Sequence, residues 1–266
     1  FSRMKRITNI SIWLGIVLYL IIALSFVTKK HNNTICSHIN VHIKDSLQDK
    51  FISEKDITDF IHELDMKVLG MPIKKINTRK LEQMISKKSV IKTTEIYFVG
   101  NGDMNINIDQ RNPIIRVLNR KGQSYYIDNE GAIIPVRGDN ASHTLIASGE
   151  IIEFFELTKT DWLRCPEDRG NKKNYSICQI YEMAKFIHNH PFWDSQVEQI
   201  YLNKKGEYEI VPRVGAHLIK LGSYDNFREK FRNLKAFYKK GLNNVGWNQY
   251  LIINLKYDNQ IICKKR

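Results

Sequence analysis

Proline and glycine are scarce in this chain, with six and fourteen residues among 266. Their scarcity, together with a hydrophobic fraction of 42% and an aromatic fraction of 11%, excludes a large disordered part. The length is too great for one small domain and sufficient for two domains, each with its own core. We therefore expect a globular protein with two folded domains.

Cysteine is also rare, with four residues at positions 36, 165, 178 and 263 and no Cys-x-x-Cys pair. The missing pair argues against a zinc site and against a redox site. In an exported domain, Cys165 and Cys178 could form a disulfide that closes a polar loop. Unpaired thiols fit the spacing at least as well, so the sequence leaves both states open.

Catalytic signatures are absent as well, because the chain has no Gly-x-Ser-x-Gly, no His-Glu-x-x-His and no glycine loop that could cradle a phosphate. His188 and His190 could begin a metal site, but such a pair more often ends a helix and lies at the surface. Glu153 and Glu156 lie in a polar stretch, where solvated carboxylates are the default. We therefore predict no enzymatic activity, no cofactor and no bound metal.

Acidic residues are fewer than basic ones, 28 against 41, and the formal net charge is +13. A basic balance is compatible with nucleic acid, an anionic membrane surface or a polyanionic wall as partner. The lysines are scattered, and no arginine-rich helix or zinc-finger spacing accompanies them. We therefore predict no nucleic-acid binding and expect mostly solvated surface lysines.

One long uncharged run lies near the N-terminus. Residues 10–27 carry no charge, and as a helix they would be about 27 Å long, close to the ~30 Å hydrocarbon core of a bilayer. The short basic tail before it favours a cytoplasmic N-terminus and export of the rest, although the flanking charges are nearly balanced. A cleaved signal peptide with a site at Ala23-Leu24-Ser25 is the competing interpretation, and the length of the run favours an anchor.

The next 75 residues or so show strand, helix, helix, strand and strand in that order. Ile39–Ile43 alternates as a strand does. Ser53 and Asn77 are candidate caps of two amphipathic helices. Ile91–Val99 and Met104–Gln110 then alternate around a turn, which indicates a hairpin. Two helices on one face of a three-stranded sheet would make a complete small core.

The rest of the chain is rich in short strands, with two helices among them. The first helix aligns Ile177, Ile180, Tyr181, Ala184 and Ile187 on one face. The second extends from Tyr224 to Tyr238 and places Phe227, Phe231, Leu234 and Tyr238 on one side. The chain closes on an alternating strand, Leu251 to Asp258, followed by a polar break and Ile261-Ile262-Cys263. We expect Leu251, Ile253, Leu255 and Tyr257 to face the core.

Two local motifs resemble those of the bacterial cell-division protein family FtsQ/DivIB. The stretch "LKYDNQ" is similar to the family's C-terminal "LRYD" strand, with Lys256 in place of arginine. The stretch after the hairpin resembles the family's junction between domains, through Gln110, Arg111, Pro113, Ile127, Asp128 and Gly131.

The resemblance implies an α+β fold with a single transmembrane helix, a POTRA module of β-α-α-β-β order, and a mostly antiparallel β domain with two helices. The implied division of the chain is a cytoplasmic tail at 1–9, a transmembrane helix at 10–27, a linker at 28–37, the POTRA domain at 38–111 and the β domain at 112–266. The implied location is the inner membrane at the division septum, with the C-terminal domains in the periplasm.

The resemblance also implies a non-enzymatic scaffold that connects early and late division proteins. Its expected partners are FtsB-like and FtsL-like proteins and other divisome membrane proteins, and binding would occur by strand addition to the C-terminal edge. The expected binding residues are Leu255, Lys256, Tyr257, Asp258, Asn259, Gln260, Ile261 and Ile262. Lys256 is expected to meet an acidic residue of the partner.

Two alternatives remain open at this point. A POTRA-type chaperone of protein export or outer-membrane assembly should carry repeated modules or a barrel-length series of strands, and the chain has neither. A signal-anchored periplasmic cell-wall enzyme should carry a nucleophile or a metal constellation, and no such motif is visible.

Overall fold

The structure is a computed structural model that describes residues 13–22, 34–44, 51–64, 68–100, 102–136, 142–157, 161–165, 176–257 and 260–266. The chain divides into two compact units. Unit 1 comprises 1–44, 52–86 and 93–109, and unit 2 comprises 45–51, 87–92 and 110–266.

The predicted membrane span is described only in part. Residues 13–22 form helix α1, whose side chains are exposed. The remainder of the predicted span 10–27 and the predicted tail 1–9 lie outside the described residues. Among the helices that the structure describes, none combines the length and the apolar character that crossing a bilayer requires.

Unit 1 has the predicted order of strands and helices. Its elements are β1 (Ile39–Lys44), α2 (Glu54–Glu63), a 3-10 turn (Ile73–Lys75), α3 (Thr78–Ile85), β2 (Ile91–Phe98) and β3 (Met104–Gln110). The sheet order is β1-β3-β2, and β1 runs parallel to β3 with Val41 opposite Ile106.

The two helices of unit 1 begin where the capping residues predict. The Ser53 hydroxyl accepts the Asp56 backbone N–H at 3.2 Å, and the Asp56 carboxylate accepts the Ser53 N–H at 2.8 Å, which completes a capping box. The Asn77 side chain likewise accepts the Lys80 N–H at 3.0 Å. The apolar faces of both helices are buried, through Ile57, Ile61, Leu81 and Ile85.

Unit 2 is built on one sheet of ten strands in the order β13-β12-β11-β10-β9-β7-β4-β5-β6-β8. The strands are β4 (Pro113–Leu118), β5 (Ser124–Asp128), β6 (Ala132–Pro135), β7 (Leu145–Gly149), β8 (Asp161–Trp162), β9 (Val197–Leu202), β10 (Tyr208–Pro212), β11 (Leu218–Gly222), β12 (Tyr250–Asn254) and β13 (Ile262–Lys265). Most neighbouring strands are antiparallel, while β4–β7, β7–β9 and β11–β12 are parallel.

The described part of unit 2 has more helical elements than the two predicted. They are α4 (Ser176–His188), α5 (Pro191–Gln196), α6 (Phe227–Phe237), a π-helical turn (Tyr238–Leu242) and α7 (Asn243–Val245), and all but α7 bury apolar side chains in the core. Four of the five residues predicted for the face of α4 are buried and Tyr181 is partly buried against the core, while Phe227, Phe231 and Leu234 of α6 are buried. Cys165 and Cys178 form a disulfide that ties the segment after β8 to the first turn of α4.

The junction motif forms a buried ion pair. The Arg111 guanidinium donates to the Asp128 carboxylate at 2.8 Å, and both side chains are almost fully buried. The other Asp128 oxygen accepts the backbone N–H groups of Glu130 and Ala132, which shapes the turn between β5 and β6. Gly131 lies in that turn at φ +93°, a conformation that favours glycine.

Candidate partner-binding edge

The single terminal strand predicted from Leu251 to Asp258 is wrong in its extent. β12 ends at Asn254, and β13 returns antiparallel to it from Ile262 to Lys265. Ile253 and Leu255 are buried as predicted, but Leu251 is 42% and Tyr257 54% exposed. The alternation breaks because the backbone is irregular at both ends: the register shifts between Tyr250 and Ile252, and the regular strand stops before Leu255.

One edge of the described sheet is therefore β13, and β8 is the other. Cys263 lies opposite Ile253, and Ile262 lies opposite Asn254. The Arg266 N–H donates back to the Gln249 carbonyl at 3.2 Å, so the backbone of Arg266 faces β12. Since backbone groups alternate in direction along an antiparallel strand, those of Cys263 and Lys265 face away from β12. They form the edge to which another strand could be added.

The predicted binding residues lie mainly in the connection between β12 and β13. The Leu255 N–H donates to the Lys220 carbonyl at 2.9 Å, which anchors the start of the connection to β11. Tyr257 is exposed, and Asp258 and Asn259 lie outside the described residues. Of the eight predicted residues, only Ile262 belongs to the edge strand, where it is 48% exposed.

A groove separates this connection from α6. Its cavity volume is about 210 Å³. One wall comes from the N-cap and the first turns of α6, through Asn226, Glu229, Lys230 and Asn233. The other wall comes from four of the predicted residues, Leu255, Tyr257, Gln260 and Ile261. The structure thus brings these four together beside the edge strand, on a surface with both apolar and polar groups.

Lys256 has an intramolecular partner. Its ammonium group lies 2.5 Å from the Glu207 carboxylate, and this hydrogen bond holds the pKa of Glu207 below its usual value. The expectation that Lys256 meets an acidic residue of a partner therefore loses its basis. The exposed cations on the edge itself are Lys264 and Lys265.

Sequence reasoning missed Cys263, Lys265 and the α6 side of the groove. The partly buried Cys263 packs against the core of unit 2, which fixes the face that β13 turns inward. A hairpin signal was available, because the Asp258-Asn259 break separates two apolar stretches. Nothing in the local pattern marks Asn226 or Asn233 as neighbours of Tyr257, since they lie 31 and 24 positions before it in the chain.

Three of the candidate catalytic groups, His188, His190 and Glu153, have structural partners. His188 lies 3.6 Å from Asp194, and His190 contacts the Lys235 ammonium at 3.1 Å. The Glu153 carboxylate accepts the Ile177 N–H at 3.1 Å and so caps α4. Throughout the described part of the chain, no three His, Cys, Asp or Glu residues are grouped so that they could hold a metal ion.

Comparison with known families agrees with this architecture. A family model described as FtsQ/DivIB, C-terminal related, matches residues 112–264, and a model described as a POTRA-like domain matches residues 34–109. Among the curated proteins, none matches the chain. The two families are typically non-enzymatic. The first match covers more than half of the chain, and the chain therefore belongs to the FtsQ/DivIB family, whose role is in cell division.

Proposed function

We propose that this protein is a non-enzymatic scaffold of the divisome that binds an FtsB-like and FtsL-like pair by adding a partner strand to β13. It would be anchored by residues 10–27 in the inner membrane, followed by a linker at 28–37, the POTRA domain at 38–111 and the β domain at 112–266. The periplasm at the septum is the proposed location of both domains.

The observation that carries the proposal is the position of β13 at the edge of the sheet. An edge strand presents unpaired N–H and C=O groups, which a partner strand can satisfy. The Lys264 and Lys265 side chains, both exposed, discourage unspecific pairing and favour an acidic partner.

The α6 groove supplies the specificity that backbone pairing lacks. Alternate side chains of an added strand point to opposite faces of the sheet, so every second partner residue lies on the face of the groove. Tyr257 and Ile261 offer apolar contact there, while Asn226 and Glu229 offer hydrogen bonds. A partner segment with an apolar residue flanked by polar ones fits this lining.

The test compares backbone donors on one strand. Lys265→Pro removes an outward N–H, whereas Lys265→Ala removes the same charge and keeps the N–H. We expect Lys265→Pro to bind the soluble parts of FtsB and FtsL from the same organism about tenfold more weakly than Lys265→Ala. Binding is measured by biolayer interferometry, and the melting temperatures of the two variants should agree.

Lys264→Pro is the structural control, because its N–H faces β12. This variant should lower the melting temperature of the domain, unlike Lys265→Pro. Equal affinity of Lys265→Pro and Lys265→Ala would show that β13 is not the docking edge. Absence of any FtsB or FtsL binding by the unaltered full-length chain would refute the proposed partners.

A further inference from the structure

The first described residues after the apolar run are attached to one end of unit 1. The Ile73 N–H donates to the Thr34 carbonyl at 3.0 Å, and the Cys36 N–H donates to the Met71 carbonyl at 2.9 Å. The Gly70 N–H donates to the Cys36 carbonyl at 2.8 Å. Residues 34–36 and 70–73 therefore form one fixed end of the unit, at the point where the chain arrives from its apolar segment.

Three large apolar side chains are exposed at this end. Ile35 is 50%, Leu69 47% and Val99 46% exposed. Val99 belongs to the same end because its hairpin is tied there, with the Ser37 N–H donating to the Gly102 carbonyl at 3.1 Å. Single exposed apolar residues are ordinary, whereas three at one end of a small unit make that end a candidate contact surface.

Basic residues adjoin these side chains without acidic neighbours in sequence. Lys74 and Lys75 follow Ile73 directly, and both are exposed. Arg79 and Lys80 follow in the first turn of α3 and are exposed too. The segments 34–44 and 68–81 contain no aspartate or glutamate.

Two carboxylates beyond these segments have partners. Asp103, in the same hairpin as Val99, lies 3.0 Å from the His38 imidazole. Glu82 accepts the Ile96 backbone N–H at 2.8 Å. The combination of exposed apolar tips with an adjoining basic surface is typical of proteins that rest on an anionic lipid interface.

The segment between the apolar run and Ile35 is short enough to hold this surface near the bilayer when the run is inserted. Eight residue steps separate Val27 from Ile35, and they span at most about 29 Å when fully extended. We propose that Ile35, Leu69, Val99, Lys74 and Lys75 form a membrane-docking rim that rests unit 1 on anionic lipid headgroups. This inference rests on the proposed anchor, and its partner is the lipid surface rather than a division protein.

The experiment uses the full chain in nanodiscs of phosphatidylcholine alone or of phosphatidylcholine with an equal part of phosphatidylglycerol. A short pulse of an amine-acetylating reagent, read by mass spectrometry, gives the modification rate of each lysine. We expect the rates of Lys74 and Lys75 to fall about threefold in the anionic discs and to recover in high salt. The rate of the exposed Lys205, in the β9–β10 turn of unit 2, is the internal control and should not change.

Leu69→Ser tests the apolar part of the rim, because it keeps every charge. This variant should regain at least half of the lost modification rate at Lys74. Equal rates of Lys74 in the two kinds of disc would overturn the docking rim and leave the anchor intact. Failure of the chain to incorporate into either disc would overturn the anchor and the rim together.

Protection that is independent of lipid charge and needs an added division protein would assign the rim to a protein partner instead. Protection of Lys74 that appears in phosphatidylcholine discs when phosphatidylglycerol vesicles are added would also support lipid docking, since the vesicles supply the anionic headgroup alone.

Discussion

Replacing Asp128 by alanine should strongly destabilise unit 2. The substitution leaves the buried Arg111 guanidinium without its closest carboxylate, at 2.8 Å, and leaves the N–H groups of Glu130 and Ala132 without their acceptor. Breaking a buried ion pair from one side costs about 3–5 kcal/mol. Glu130 lies 3.5 Å from the same guanidinium and compensates in part, so we expect about 3 kcal/mol, or roughly 6–12 °C in melting temperature.

The unfolding of unit 2 can be followed by tryptophan fluorescence, because three of the four tryptophans lie in this unit: Trp162, Trp193 and Trp247. Asp128→Asn keeps an oxygen acceptor for the turn and should cost less than Asp128→Ala. The double variant Arg111→Met with Asp128→Asn should recover stability relative to Asp128→Ala, because no unpaired charge remains. A change below about 0.5 kcal/mol for Asp128→Ala would refute a structural role of this pair.

Two further predictions concern unit 2. Cys165→Ser opens a loop of sequence separation 13, and it should lower stability by about 3 kcal/mol, measured as a fall in melting temperature against the oxidised chain. Burial lowers the pKa of His217, whose Nε2 lies 2.9 Å from the Tyr238 hydroxyl. The unfolded chain therefore binds a proton at this histidine near pH 6.5 while the folded chain does not, so stability should fall as the pH drops below about 6.5. The free energy of unfolding, measured by urea denaturation at a series of pH values, should fall less steeply below about pH 6.5 in His217→Gln than in the unaltered chain. An equal fall in the two chains would contradict the assignment to His217.

Much of the fold follows from local patterns. Ser53 and Asn77 predict the beginnings of α2 and α3 because capping is decided within four residues. The periodicity of α4 and α6 predicts their buried faces for the same reason. Local pattern left the state of Cys165 and Cys178 open, because a disulfide depends on where two distant backbones meet.

The candidate site was predicted less well, since long-range pairing determines it. Lys256 is bound to Glu207, a residue 49 positions away, and no local signal marks that pair. The alternation through Leu255 and Tyr257 indicates a continuing strand, but the Leu255 N–H bonds to Lys220 and the chain leaves the sheet. A strand pattern predicts which residues can pair, whereas the tertiary structure decides where pairing stops.

The shallow burial of β13 links its own folding to its binding. Only Cys263 in this strand packs against the core, so the ladder to β12 is what holds the strand in place. Short, exposed elements open locally at a small free-energy cost, and any partner can bind only the closed fraction. A substitution beneath the strand, such as Ile253→Ala, would then weaken partner affinity without touching the partner. Hydrogen exchange at β13 in the free protein would therefore give the closed fraction, and with it the factor by which local opening weakens partner affinity.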